Sequence, residues 1–127
     1  MELYEKIYNF ENLYKAHLRA KAGKRSEREV IDFENDLSRN LVGLSERLKN
    51  GTYKIKGYYS FKVYDPKERN IHALYYEDRV VQHCICDEVL EPVLDKKLIY
   101  DNCACRRNKG THFSMNRLSR FMRSFFR

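Results

Sequence analysis

Residues that break regular structure are scarce: the 127-residue chain has only five glycines and two prolines, too few for a collagen-like or low-complexity disordered chain. It has no apolar run near the roughly 20 residues that a spanning helix needs. Its first residues, Met1-Glu2-Leu3-Tyr4-Glu5-Lys6, lack the basic-then-apolar order of a secretion signal, so the expected location is cytoplasmic and no membrane partner is expected. Repeats and low-complexity tracts are missing. So are the Gly-x-x-x-x-Gly-Lys, Gly-x-Ser-x-Gly and His-Glu-x-x-His motifs, which excludes a phosphate-binding loop, a nucleophile elbow and a zinc-protease helix. The length suits one domain with one modest core, and 1–127 reads as a single domain.

Acidic residues are missing from one stretch in particular. From Arg106 to Arg127 stand Arg106, Arg107, Lys109, Arg117, Arg120, Arg123 and Arg127, with no Asp or Glu. The chain has 25 basic and 18 acidic residues, so the remaining residues hold 18 of each and the whole net charge of +7 lies in this block. Such a block attracts phosphates and releases counterions from nucleic acid; a solvated basic helix face fits the composition equally well.

What is present is mostly helical spacing. Leu3, Ile7, Phe10 and Tyr14 fall on one face, widened by Leu13 and Leu18, which predicts a helix over Glu2 to Ala22. Ser26 with Glu29 three residues on reads as a capping box opening a second helix, whose stripe is Val30, Phe33, Leu37, Leu41, Leu44 and Leu48 and whose end is Asn50-Gly51. The period then changes to two. Tyr59, Phe61 and Val63 alternate with Tyr58, Ser60, Lys62 and Tyr64, and Ile71 to Leu74 resumes the extended pattern after a turn at Asp65-Pro66. This predicts a hairpin with Lys67 and Arg69 at its tip. A third helix starts near Glu77-Asp78 and carries Val80, Val81, Cys84, Ile85 and Val89, with Asp78 as its cap. Pro92 is placed in the first turn of a short helix over Val93 to Ile99. The last helix has Phe113, Leu118, Phe121, Met122 and Phe125 on one side and arginines mostly on the other. The expected fold class is α+β, mainly α. A helix ending in Phe125-Phe126 wants something to pack against, so the chain is expected to be a truncated piece or to complete its core with a partner.

The cysteines form two Cys-x-Cys pairs, Cys84/Cys86 and Cys103/Cys105. Structural zinc sites favour Cys-x-x-Cys, and a helix sends residues two apart to different sides. Buried free thiols are the expectation.

The run Tyr64 to Gln82, then Pro92, then the block Tyr100 to His112 carry a more specific signal. Pro66-Lys67-x-Arg69-x-Ile71, Asp78-Arg79-Val80-Val81-Gln82, Pro92 and Arg106-x-x-Lys109-Gly110-x-His112 occur in that order. Together they resemble the N-terminal fingers region of bacterial reverse transcriptases, the RNA-directed DNA polymerases of diversity-generating retroelements, group II introns and retrons. The match covers residues 59 to 118, with 1–57 as a looser N-terminal helical extension and 58–127 as the fingers.

The resemblance implies roles. Lys67 and Arg69 match the cations that contact the triphosphate of the incoming dNTP; a lysine supplies a point charge and an arginine a bidentate fork. By residue type alone, two solvated turn cations are the favoured reading, since such cations are common on surfaces. Arg79 opens a helix near the template path, or else pairs with a local carboxylate. Arg106, Lys109 and Gly110 match the block that lines the template groove, and Gly110 is expected to serve a positive φ or a close backbone approach. Arg117 and Arg120 extend this surface for RNA template and DNA primer. The family's catalytic carboxylates, an aspartate and a Tyr-x-Asp-Asp pair, hold two divalent ions. No Asp-Asp occurs in the chain, so no catalytic residue is assigned, magnesium is expected only for a full-length enzyme, and the palm or a partner subunit must supply the chemistry. The alternative is a non-catalytic RNA- or DNA-binding module that keeps the fingers shape.

Overall fold

The computed structural model describes residues 2 to 126. It is α+β and mainly helical: α1 (Leu3–Tyr8), α2 (Phe10–Ala20), α3 (Arg28–Asn35), α4 (Leu37–Lys49), β1 (Tyr58–Val63), β2 (Arg69–Leu74), α5 (Tyr76–Ile85), a π-helical turn (Cys86–Leu90), α6 (Glu91–Leu94) and α7 (Thr111–Phe125). The chain divides into two compact units, Met1–Leu90 and Glu91–Arg127.

In the first unit the long helices expected from periodicity are each broken once. Asn9 sits in extended backbone and its side chain accepts from the amides of Glu11 and Asn12, capping α2 where a single helix to Ala22 was expected. The break changes the phase of the face. Leu13, Ala16, His17 and Ala20 are buried, at the spacing of one helical stripe, while Leu3, Phe10, Tyr14 and Leu18 stay exposed. Asp36 likewise separates α3 from α4, and α3 starts after Glu27 with no side-chain cap, so the Ser26 capping box does not form. The second stripe itself is buried as its spacing indicates, at Val30, Phe33, Leu41, Leu44 and Leu48, with Leu37 packed against it. Gly51 ends α4 with φ of 67°, a conformation glycine adopts without a Cβ clash.

These faces close on α5, which adds Tyr76, Val80, Val81 and Cys84. Past Ile85 the helix widens into the π turn just before Pro92, whose ring has no N–H and crowds the carbonyl four residues back. The short helix there, α6, spans Glu91–Leu94 and stops well before the expected Ile99.

β1 and β2 pair antiparallel, with Tyr59 opposite Ala73, Phe61 opposite Ile71 and Val63 opposite Arg69. These six residues share one face, and Ser60, Lys62, Asn70 and His72 share the other. The Ser60 hydroxyl and His72 Nδ1 lie 2.7 Å apart across the ladder.

The second unit has no buried residue among those described. α7 rests on the loop before it through the Tyr100 and Phe113 rings, 5.8 Å between centroids. Among the described residues, no helix is long and apolar enough to cross a membrane.

Candidate phosphate-binding hairpin

The hairpin is rooted in the helical core at both ends. On the entering side Gly57, with φ of 95°, turns the chain into β1. The segment before it is held by Asp78: the Tyr53 hydroxyl donates to Asp78 Oδ1, and the Lys56 amide donates to Oδ2 at 3.0 Å. Asp78 is buried, and Tyr75 rather than Asp78 occupies the cap position of α5. The expected capping role is therefore replaced by a tertiary one, because both carboxylate oxygens are taken by a segment more than 20 residues upstream. Burial and the neighbouring Asp78 carboxylate push the Tyr53 phenol well above its ordinary range. Glu77 adds ion pairs to Arg47 at 2.6 Å and to Lys56 at 3.4 Å. On the leaving side β2 runs straight into α5: Leu74 is buried, and the Tyr75 ring lies 5.4 Å from that of Tyr59.

At the far end the turn residues Tyr64 to Glu68 are exposed. The Asp65-Pro66 peptide is cis. Lys62 donates to Glu68 at 2.5 Å, so the one carboxylate standing between Lys67 and Arg69 in sequence is neutralised by a different cation. Lys67 and Arg69 are both exposed, and neither side chain has an ion pair or hydrogen bond among the described residues. Arg69 is the first residue of β2, held in the ladder opposite Val63. One cation in the turn and one on the first residue of the anchored strand are a candidate arrangement for meeting a polyphosphate.

The other candidate cations are placed differently. Arg79 pairs with Glu29, approaches Glu27 at 3.7 Å, and lies over the Tyr76 ring at 5.5 Å, joining α5 to the start of α3. In the second unit Arg106 donates to Asp95 at 2.8 Å and to the carbonyls of Ile99 and Asn102, closing the loop that precedes α7. Lys109 donates to the Tyr100 carbonyl and sits 3.8 Å from the centre of the Tyr100 ring. Arg117 makes a two-pronged contact with Asp101 at 2.6 and 3.1 Å, which holds that carboxyl below its usual range. It also lies between the Tyr100 and Phe121 rings. Arg120 is exposed and unpaired among the described residues.

Gly110 precedes α7 with φ of −98°, and a Cβ there would meet nothing within 4 Å. The expected positive φ or close approach is not found at Gly110. Positive φ falls instead on Cys105 and Asn108, in the turn where Arg106 and Lys109 bridge. Asn108 is of a residue type that adopts positive φ readily, a signal present in the sequence, whereas nothing marks Cys105.

The thiols also divide. Cys84 is buried and its thiol is pushed up to about 11 by desolvation, while Cys86 and Cys105 are exposed and Cys103 is half-buried. The expectation of buried thiols holds for Cys84 alone. Among the described residues no three His, Cys, Asp or Glu side chains are grouped to hold a metal ion. No protein-family model matches the chain, and no curated protein matches it.

Proposed function

We propose that this chain is the fingers portion of an RNA-directed DNA polymerase of the bacterial reverse transcriptase type, acting in the cytoplasm, and that its hairpin tip binds the triphosphate of the incoming dNTP. The observation that carries the reading is the pair Lys67 and Arg69, exposed and unpaired at the end of a hairpin whose root is locked to the helical core by Asp78. Lys67 supplies a mobile point charge. Arg69 supplies a planar fork on a fixed strand, suited to two oxygens of one phosphate.

RNA template and DNA primer would be attracted by the basic second unit. There Arg106, Lys109 and Arg117 shape the loop and α7 through their internal contacts, and Arg120 is an exposed cation that can reach a phosphate. Arg79 acts in the same scheme as a positioning residue, fixing α5 and hence the leaving strand of the hairpin.

The test is a titration of the purified chain with fluorescent dNTP. Lys67→Ala with Arg69→Ala should weaken dNTP binding about tenfold or more, the effect of losing about 1.4 kcal/mol or more, and should change binding of a template-primer duplex less. Equal binding by the double variant would sink the assignment. Primer extension with magnesium should give no product from this chain alone, because the Tyr-x-Asp-Asp pair is not in its sequence.

A further inference from the structure

We propose that Cys103 and Cys105 form a dithiol site that reduces small anionic disulfides, of the glutathione disulfide class, and closes reversibly into an internal disulfide. The two Cys-x-Cys pairs of the chain are built differently. Cys84 lies in α5 and Cys86 opens the π turn, so helical backbone sends their side chains to different sides, and Cys84 is buried. Cys103 and Cys105 lie outside helix and strand, with Ala104 and Cys105 in a turn and Cys105 at φ of 56°. Two Cα–Cα steps of about 3.8 Å, folded at a turn, bring such a pair inside the span of about 4.4–6.8 Å that a disulfide bridges.

Access and charge select the reactant. Cys105 is exposed, and Cys103 is half-buried with its thiol donating to the Asp101 carbonyl at 3.2 Å. Cations line the turn: Arg106 follows Cys105, Lys109 bridges to Arg106, and Arg117 holds the Asp101 carboxylate. The Arg117 pKa is raised first by that bond, and a Cys103 thiolate adds to the rise, which puts this cation beside the Cys103 sulfur. With Asp101 so engaged, the turn presents positive charge to an approaching molecule, which favours an anionic disulfide over a cationic one.

The exposed thiol reacts first. Cys105 loses its proton and its sulfur attacks one sulfur of the small disulfide; that S–S bond breaks, one small thiolate leaves and takes the proton, and a mixed disulfide remains. Cys103 then loses its proton and attacks Cys105 Sγ, which expels the second small thiol. The protein gives up two electrons and two protons, and the small disulfide becomes two thiols. The second step is intramolecular, so it outruns a further encounter with free disulfide. Excess small thiol reverses both steps, the behaviour of a transient redox pair rather than of a structural bridge. The site stands independently of the nucleotide-binding reading.

Trypsin separates the two pairs: Leu98–Arg106 carries Cys103 and Cys105, and Val80–Lys96 carries Cys84 and Cys86. The reduced, folded chain is exposed to glutathione disulfide, remaining thiols are blocked, and the peptides are weighed by mass spectrometry. Leu98–Arg106 should lose two hydrogens. Val80–Lys96 should carry at most one glutathione, on Cys86, and close no bridge. Cys103→Ser should leave a persistent glutathione on Cys105, with circular dichroism matching the parent chain to confirm the fold. Cystamine, a cationic disulfide, should react at least about threefold more slowly than glutathione disulfide at low salt, and the gap should narrow as salt rises. Glutathione retained in Leu98–Arg106 without closure, a bridge forming first in Val80–Lys96, or cystamine reacting as fast as glutathione disulfide would each overturn the proposal.

Discussion

The Tyr76 hydroxyl and His17 Nδ1 meet at 2.9 Å inside the helical core, while Nε2 of the same imidazole meets Glu34 at 3.1 Å. A carboxylate only accepts, so Nε2 carries the proton and Nδ1 accepts from tyrosine. Lys21, 2.6 Å from Glu34, keeps that carboxyl ionised and lowers its pKa. Burial raises the Tyr76 phenol to about 12 and lowers the pKa of His17 despite the carboxylate beside it. The network thus favours a neutral imidazole. His83 is lowered for the same first reason, burial, helped by nearby cations.

A pH dependence follows from the direction of those shifts. The unfolded chain takes up protons on both histidines near pH 6.5, and the folded chain resists until lower pH, so stability is present above that value and lost as pH falls below it. The melting temperature should drop between about pH 7.5 and 5.5. His17→Gln should melt lower at neutral pH and show a flatter profile, and an unchanged slope would remove His17 from the account.

Substitution series should expose the phase change at Asn9. Leu13 is buried and Leu18 is exposed, although helical spacing puts both in one widened stripe. Leu13→Ala should cost about 2–5 kcal/mol and Leu18→Ala under about 1 kcal/mol, measured by urea denaturation. Equal costs would mean that the first helix runs unbroken. Periodicity made the helical character legible here, and it placed Val30, Phe33, Leu41, Leu44 and Leu48 in the core. It could not show the interruption, because Asn9 is a tolerable helix residue until its side chain caps the amides of Glu11 and Asn12.

The root of the hairpin was the part least legible. Strand alternation marked β1 and β2, and turn chemistry marked the tip. Asp78 looked like a cap because its partner Tyr53 is remote in sequence, and only the packed helices bring the two together. Tyr53→Phe deletes one donor to a buried carboxylate and should cost about 1–3 kcal/mol. The amides of β1 and β2 should exchange with solvent faster, since the anchored end is loosened while the tip is untouched. Hydrogen exchange that speeds up only in the helices would argue that Asp78 serves the core rather than the hairpin.

At the tip the decisive charge is one that does not touch phosphate in the proposed reading. Glu68 is held by Lys62 on the polar face, which leaves Lys67 and Arg69 uncompensated. Removing Lys62 frees that carboxylate to compete for the neighbouring cations, and removing Glu68 takes the competitor away. Lys62→Ala should therefore weaken dNTP binding, and Glu68→Gln should strengthen it, each by about twofold to tenfold at low salt, the range of an exposed pair worth under about 1.4 kcal/mol. Both differences should shrink as ionic strength rises, because all the groups are exposed and screened. If Glu68→Gln and Lys62→Ala shift affinity in the same direction, the tip cations are not the phosphate ligands and the triphosphate binds elsewhere.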